Sequence, residues 1–385
     1  MSPLTLYVVS GFAQSAKAKV LDSLRRAHAD RRVATITNAN LAAGENADPE
    51  NGDEIAESDQ GCSCCSLRDE LWSEVARLAG EDAADVALIE AGPAASPKAI
   101  AENLLATDEH GEGLGDSIRI AGFITVVDAA TFAEDFASTE ELSERGFADP
   151  EGDRDVVGAL TDQIEFANLI AIDAEGPGEE KAAGTERLAK LLNPGATIVR
   201  LEAGGLPKNA LTPATPFDFG ATLTDAGWLR RIQEEENDAT GFVFRARRPF
   251  HPARLAATLE SNAFRSVQRS HGLAWLATRP DLAGEWSSAG NVVSLGASGY
   301  WLAATPEDEW PEGFTRAELQ WDAEWGDRTQ EIAFLGLELD EATVRRALDG
   351  CLLNDAEMAA GSDSWESFED PFPAWLPGDE AEQPG

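Results

Sequence analysis

The chain has 385 residues, of which 43% are hydrophobic, and it carries a formal charge of −40 from 70 acidic and 30 basic residues. This hydrophobic share is enough for a sizeable core, which excludes a disordered acidic chain, and the excess of acid excludes a nonspecific nucleic-acid binder. Lysine contributes only six of the 30 basic residues. An acid-rich, lysine-poor surface is typical of a halophilic protein that stays soluble in a salt-rich cytoplasm.

The chain offers no candidate for a membrane or export segment. It has no run of about 18 or more apolar residues, and its first residues, MSPLTLYVVSGF, lack the basic lead and cleavage site of a signal peptide. We therefore predict a cytoplasmic protein without a membrane partner.

The first half of the chain alternates short apolar runs with helical patterns. This alternation predicts an α/β domain with a parallel sheet flanked by helices. The runs are LTLYVV, RRVATIT, DVALIE, GFITVVDA, NLIAIDA and ATIVRLE.

A second domain follows a break in this pattern. The segment EAGGLPKNALTPATPFDFGATLTDAG is rich in Pro, Gly and Thr, which is typical of a linker. We predict a first domain over 1–205, a linker over 206–240, a smaller α+β C-terminal domain over 241–375 and a polar tail over 376–385. The C-terminal domain is predicted from strands GFVFRARR, SVQRSHGLAWLAT, NVVSLGASGYWLAA and RTQEIAFLGLEL and helices HPARLAATLES and DEATVRRALDGCLL.

The turn after the first predicted strand, SGFAQSAKAK, has part of a P-loop pattern, GxxxxGK[ST]. Gly11 and Lys17 match the pattern, so they are the candidate phosphate-binding residues. Ala16 replaces the second glycine, and Ala18 replaces the hydroxyl residue that would bind Mg²⁺. Two interpretations remain open, an ordinary strand-to-helix turn and a degenerate descendant of a P-loop.

Three of the four cysteines, Cys62, Cys64 and Cys65, lie within four positions of each other in GCSCCSL. In a reducing cytoplasm such a cluster indicates metal binding more than disulfide formation. Three thiolates suit Zn²⁺ or Cu⁺, and an upstream carboxylate could complete the site. The alternative is that small cysteines pack a turn, as we expect for the isolated Cys351. The candidate fourth ligands are Glu54, Glu57 and Asp59.

The order and spacing of these motifs resemble those of the CobW-like proteins, GTPases of the SIMIBI P-loop class that are regarded as metal-insertion factors and often as zinc metallochaperones. The resemblance covers nearly the whole chain, and the Gly-Cys-x-Cys-Cys element is its most specific part. The motifs that carry it include VVSGFAQSAKAK, GCSCCSLRDEL, IEAGPAASP, ITVVDAATF, RRPFHPARL, WDAEWGDRTQEIAFLG and DPFPAW.

This resemblance implies roles for individual residues. It implies that Cys62, Cys64 and Cys65 bind the metal, and that Glu90 is the acidic residue at the end of the third strand, where it would polarise a water or bind Mg²⁺. GTP with Mg²⁺ would be the cofactor and a metalloprotein the client. The resemblance leaves the metal, the client and the oligomeric state open.

The nucleotide motifs depart from the family pattern at three places. In addition to the loop alanines, Pro93 stands where a glycine would donate its N–H to the γ-phosphate, and Asp173 to Gly176 replace the guanine-reading Asn-Lys-x-Asp. These two carboxylates, Asp173 and Glu175, could also form a simple solvated loop. We predict a zinc chaperone with an impaired GTPase switch. The alternatives are an active GTPase that delivers metal and, less consistent with the motif, a thiol redox protein.

The predicted C-terminal domain contains a local group of basic residues. In so acidic a chain such a group is either a hub of internal salt bridges, which we favour, or a docking patch. We expect Asp327 and Arg328 to be paired internally and His251 and His271 to be structural. The group comprises Arg245, Arg247, Arg248, His251 and Arg254.

Overall fold

The computed structural model describes residues 2–38, 68–107, 113–147, 154–210, 229, 232, 240–310 and 321–375. The chain divides into two compact units, Met1–Trp228 and Leu229–Gly385. In the described parts of both units, no helix is long and apolar enough to cross a membrane.

The first unit is built on a six-stranded sheet with the order β2-β3-β1-β4-β5-β6. Every neighbouring pair of strands is parallel, as the sequence predicts. This order places the carboxyl end of β1 between those of β3 and β4. The strands are β1 Leu4–Ser10, β2 Val33–Thr37, β3 Val86–Glu90, β4 Ile118–Asp128, β5 Leu169–Asp173 and β6 Thr197–Arg200.

Helices cover both faces of this sheet, so its central strands are apolar on both sides. Along β1, Leu6 and Val8 belong to the core on one face, and Val9 belongs to the core on the other. The fold class is therefore the predicted one. The described helices are α1 Gln14–Ala27, α2 Arg68–Gly80, α3 Pro97–Leu105, α4 Phe132–Phe136, α5 Val156–Phe166 and α6 Glu179–Leu192.

The second unit contains a five-stranded sheet with the order β10-β9-β8-β11-β7, in which every neighbouring pair is antiparallel. The helices α7 and α8 pack with the sheet around one apolar core. The elements are β7 Gly241–Ala246, α7 Pro252–Leu259, β8 Arg269–Ala274, β9 Leu282–Ala289, β10 Val292–Tyr300, β11 Gln330–Leu335, α8 Glu341–Cys351, α9 Asp355–Ala360 and α10 Ser362–Trp365.

The strand β9 is absent from the sequence prediction. Its sequence, LAGEWSSA, contains two serines, a glycine and a glutamate but no β-branched residue, so it has little intrinsic preference for a strand. It forms because it pairs with β8 on one side and β10 on the other. Tertiary pairing therefore overrides local propensity here.

A second apolar cluster of this unit is rich in tryptophan. The ring centroids of Trp275 and Trp325 are 5.5 Å apart, and Trp365 lies 5.5 Å from Trp325. Trp301 belongs to the same cluster and is buried. We refer to these four residues as the tryptophan cluster.

Candidate functional site

The turn after β1 is short and depends on glycine. Gly11 has a φ of +129°, and a Cβ added there would lie 2.2 Å from the carbonyl oxygen of Val126 in β4. The helix α1 begins at Gln14, and the N–H of Lys17 already donates to the carbonyl of Ala13 over 2.9 Å. The region of the P-loop pattern is thus a three-residue turn followed directly by regular helix.

Lys17 points from α1 to the end of β3. Its side chain is almost fully buried, and its Nζ donates to the carbonyl oxygen of Ala91 over 3.0 Å. The same Nζ lies 3.9 Å from Oε1 of Glu90, which also accepts from Nε2 of Gln14 over 2.6 Å. The structure therefore brings Lys17 and Glu90, two of the predicted site residues, into contact at the carboxyl edge of the sheet.

Side chains also hold the segment that follows Glu90. Gln163 of α5 donates from Nε2 to the carbonyls of Pro93 and Ala95, over 2.8 and 3.2 Å. Arg154 donates to the carbonyl of Ala94. Together with the hydrogen bond from Lys17 to Ala91, these contacts mean that four carbonyls of residues 91–95 accept hydrogen bonds from side chains. Sequence reasoning missed Gln163 and Arg154, because nothing in a local pattern indicates that they contact a loop more than 50 residues earlier.

The loop in the guanine-reading position is tied to α1 by an ion pair. Nζ of Lys19 lies 3.1 Å from Oδ2 of Asp173 and 2.7 Å from Oε2 of Glu175. These two hydrogen bonds, first that with Glu175, raise the pKa of Lys19. Both carboxylates therefore pair with a lysine of α1, and the side chain of Glu175 is also 76% exposed to solvent.

The predicted metal ligands Cys62, Cys64 and Cys65 lie outside the described residues. The next described residue is Arg68, the first residue of α2 and three positions after Cys65. Within the described ranges, no group of three or more His, Cys, Asp or Glu side chains is arranged to hold a metal ion. The cysteine site thus remains a prediction from the sequence.

Two known protein families match this chain, one in each of its two units. A family model for the CobW/HypB/UreG nucleotide-binding domain matches residues 5–205, more than half of the chain. The chain belongs to the CobW family. A second model, for the cobalamin synthesis protein CobW C-terminal domain, matches residues 239–352. The resemblance found from the motifs is thereby confirmed.

Two relatives carry names that refer to zinc. The chain is 32% identical to a zinc-regulated GTPase metalloprotein activator of Dictyostelium discoideum, over 96% of this chain and 84% of that protein. It is 30% identical to a zinc chaperone of Mycobacterium tuberculosis, over 90% of this chain and 85% of that protein. A solved structure, the Zn(II)-bound YjiA GTPase from E. coli, matches with 16% identity and a TM-score of 0.37, over 92% of this chain and 100% of that one.

In the second unit of this CobW-family chain, the basic group is a hub of internal contacts, as predicted. Its guanidinium groups pair with carboxylates or donate to backbone carbonyls, so the structure does not support a free docking patch. The contacts are Arg245 with Glu331 at 2.9 Å, Arg248 with Asp355 at 2.7 Å, Arg254 with Glu357 at 2.8 Å and Arg247 with the carbonyl of Arg328 at 3.0 Å.

Other predictions for the CobW C-terminal domain are also met. Cys351 is fully buried in the core. Asp327 accepts from the N–H groups of Leu302 and Ala303, and Arg328 pairs with Asp281, so both are bound internally but to different partners. The ring of His251 stacks on that of Phe368, at 4.6 Å between centroids.

We expect the ion pair between Arg254 and Glu357 to make the free energy of unfolding decrease at acid pH. The guanidinium of Arg254 lowers the pKa of Glu357 to about 2, below the ordinary 4.5. Since the folded pKa is depressed, the stabilisation is complete above pH 4.5 and is lost as the pH falls towards 2. Glu357→Gln should reduce the free energy of unfolding by about 1 to 2 kcal/mol at neutral pH.

Urea unfolding at neutral pH and near pH 3 measures this effect, and the difference between Glu357→Gln and the parent should shrink in acid. The matched control is Asp355→Asn, because Asp355 pairs with Arg248 but its side chain is 92% exposed. We expect the control substitution to reduce the free energy of unfolding by no more than about 0.5 kcal/mol. Equal losses in the two variants would show that burial of the pair is not what matters.

Proposed function

We propose that this protein is a zinc chaperone of the CobW family, which binds Zn²⁺ as cargo and passes it to a client metalloprotein in the cytoplasm. The observation that carries the proposal is the Gly-Cys-x-Cys-Cys element, with Cys62, Cys64 and Cys65 in a chain that has one other cysteine. The names of the two relatives, one a zinc chaperone and one a zinc-regulated activator, support zinc as the metal.

The chemistry of the donor set suits delivery. Three thiolates bind Zn²⁺ strongly, but tetrahedral zinc takes four ligands. A site with three cysteines keeps one position for a water, a carboxylate or a ligand of the client, and exchange can begin there. The direct test is the zinc content of the purified protein, which we expect to reach about one ion per chain. A protein that binds no zinc would contradict the proposal.

We also propose that the GTPase switch is impaired. Four features at the start of α1 support this. The helix begins at Gln14, so its first turn lies where a P-loop would wrap the phosphates. Ala18 provides no hydroxyl for Mg²⁺. Lys17 donates to the carbonyl of Ala91, and Lys19 forms an ion pair with Asp173, in the loop that aligns with the guanine-reading motif.

A second candidate function, an active GTPase coupled to metal delivery, is favoured by one observation. Lys17 and Glu90, the phosphate-binding and acidic residues that the family pattern requires, are both present and lie 3.9 Å apart. The relative from Dictyostelium discoideum is also named a GTPase. Nucleotide binding and hydrolysis separate the two candidates.

We expect the parent protein to show negligible GTP hydrolysis, and Ala16→Gly combined with Ala18→Thr to strengthen nucleoside triphosphate binding by about tenfold or more. Residue 16 lies in the first turn of α1, where glycine makes it easier for the backbone to rearrange around a phosphate, and the threonine supplies a Mg²⁺ ligand. A lost ligand or unsatisfied partner costs about 1–3 kcal/mol. GTP and ATP should remain poorly distinguished, because the loop at Asp173 is unchanged. Fluorescent-nucleotide titration with Mg²⁺ measures the effect.

The matched control is Ala16→Gly combined with Ala18→Val, since valine has the shape of threonine without its hydroxyl. Only the threonine variant should gain affinity that depends on Mg²⁺. Turnover of GTP by the parent, with preference over ATP, would refute the impaired switch and support the second candidate.

A further inference from the structure

The segment that follows Glu90, residues 91–95, has little backbone hydrogen bonding of its own. In the described structure, the N–H of Ala91 donates to the carbonyl of Val9 over 2.9 Å, and the N–H of Ala95 donates to that of Gly92 over 3.0 Å. A loop with so few backbone hydrogen bonds opens easily unless other groups restrain it. The restraint on this segment therefore comes mainly from side chains.

Gln163 supplies the largest part of this restraint. Its side chain is completely buried, and Nε2 faces two carbonyl oxygens, those of Pro93 and Ala95. The other atom of the same amide, Oε1, is buried and has no donor among the described residues. A buried acceptor without a donor is unfavourable. What glutamine provides at this position is thus a pair of donors for the segment.

The position of Gln163 is itself fixed from the centre of the sheet. Oγ1 of Thr125 in β4 donates to the backbone carbonyl of Gln163 over 2.6 Å. The same Oγ1 lies 3.1 Å from Oγ of Ser10, the last residue of β1, and both hydroxyl side chains are buried. Hydrogen bonds are strong in a buried site, and networks of them make a core rigid. This network connects the end of β1 with the segment after Glu90.

We propose that Gln163 is a positioning residue that holds segment 91–95 in one conformation, so that the segment does not respond to a bound nucleotide. A phosphate at the turn after β1 would draw Lys17 away from Ala91, but Gln163 and Arg154 would keep the other three carbonyls. A ligand shifts an equilibrium only as far as its affinities for the two states differ. The part of the proposal that concerns nucleotide rests on the impaired switch proposed above.

Hydrogen exchange of the full chain without nucleotide tests the restraint. The reporter is the N–H of Ala95, measured by mass spectrometry of overlapping peptides. Gln163→Met keeps the length of the side chain but removes both donors, so we expect this N–H to exchange at least about tenfold faster. Arg154→Met removes the donor to Ala94 and should speed the exchange at least about twofold. This second variant tests the restraint should Gln163→Met fail to fold.

The matched control is Asn193→Leu, which removes another buried amide from the same unit. Nδ2 of Asn193 donates to the carbonyls of Ile164 and Ala167 over 2.7 Å each, and none of its hydrogen bonds in the described structure reaches residues 91–95. We expect this variant to speed exchange in β5 but to leave the N–H of Ala95 within about twofold of the parent. Equal acceleration in Asn193→Leu and Gln163→Met, or no acceleration in a folded donor variant, would overturn the proposal.

The response to nucleotide is measured in the variant that combines Ala16→Gly and Ala18→Thr. There GTP with Mg²⁺ should leave exchange of the Ala95 N–H within about twofold, and adding Gln163→Met should turn this into a change of at least about threefold. A response with Gln163 intact, or none without it, would overturn the proposal. If the combined variant binds no nucleotide, the prediction made for the impaired switch fails, while exchange without nucleotide still decides whether Gln163 restrains the segment.

Discussion

Replacing Cys62, Cys64 and Cys65 together by serine is expected to weaken zinc binding by at least about a thousandfold, or roughly 4 kcal/mol. Serine hydroxyls do not ionise at neutral pH, so the variant lacks the soft anionic ligands that Zn²⁺ prefers in such sites. Zinc sites with a full set of ligands contribute about 10–16 kcal/mol at neutral pH, so a loss of this size is well within range. Competition with a chromophoric chelator measures it.

Cys351→Ala is the matched control for this loss, because Cys351 is fully buried in the core of the second unit. We expect it to lower stability but to leave zinc affinity unchanged. Zinc affinity of the parent should fall as the pH drops below neutral, since protons compete for the thiolates. If the triple variant kept the affinity of the parent, the zinc site would have to lie elsewhere in the chain.

Gly11→Ala is expected to destabilise the first unit by about 3 to 5 kcal/mol. Two causes act together. The φ of +129° is unfavourable for any residue with a Cβ, and that Cβ would lie 2.2 Å from the carbonyl oxygen of Val126, a backbone atom that cannot move without disturbing β4. Thermal and urea unfolding, followed by circular dichroism, measure the change.

Gly184→Ala is the opposite case and serves as its control. Gly184 lies inside α6, and a Cβ added there would meet nothing within 4 Å. Alanine should stabilise this helix by about 0.5 to 1 kcal/mol. A Gly11→Ala variant as stable as the parent would mean that the turn after β1 has another conformation.

The parallel sheet was predictable because its central strands are buried on both faces. The first four residues of β5, LIAI, are all apolar and stand between helical patterns, which is a local signal. The strand β9 gave no such signal, because pairing with its neighbours, rather than its own residues, makes it a strand. The antiparallel sheet was therefore predicted with one strand too few.

The residues of the candidate site that belong to a sequence motif could be predicted. The contacts between its side chains could not. Gly11 and Lys17 were found from a P-loop pattern, and Glu90 from the resemblance to the CobW-like proteins. The ion pair of Lys19 with Asp173 joins residues more than 150 positions apart, and single-sequence patterns contain no information on such a pair. Only folding brings these side chains together.

The tryptophan cluster allows the two units to be followed separately by optical spectroscopy. Eight of the ten tryptophans belong to the second unit, and indole rings with centroids 5.5 Å apart couple their electronic transitions. The resulting exciton signal in circular dichroism belongs to that unit alone and vanishes when the rings separate. Trp72 on α2 is partly exposed, seven positions past Cys65, and belongs to the other unit. The difference in emission between the parent and a Trp72→Phe variant reports on the helix that follows the cysteines in sequence, while the exciton signal reports on the C-terminal core.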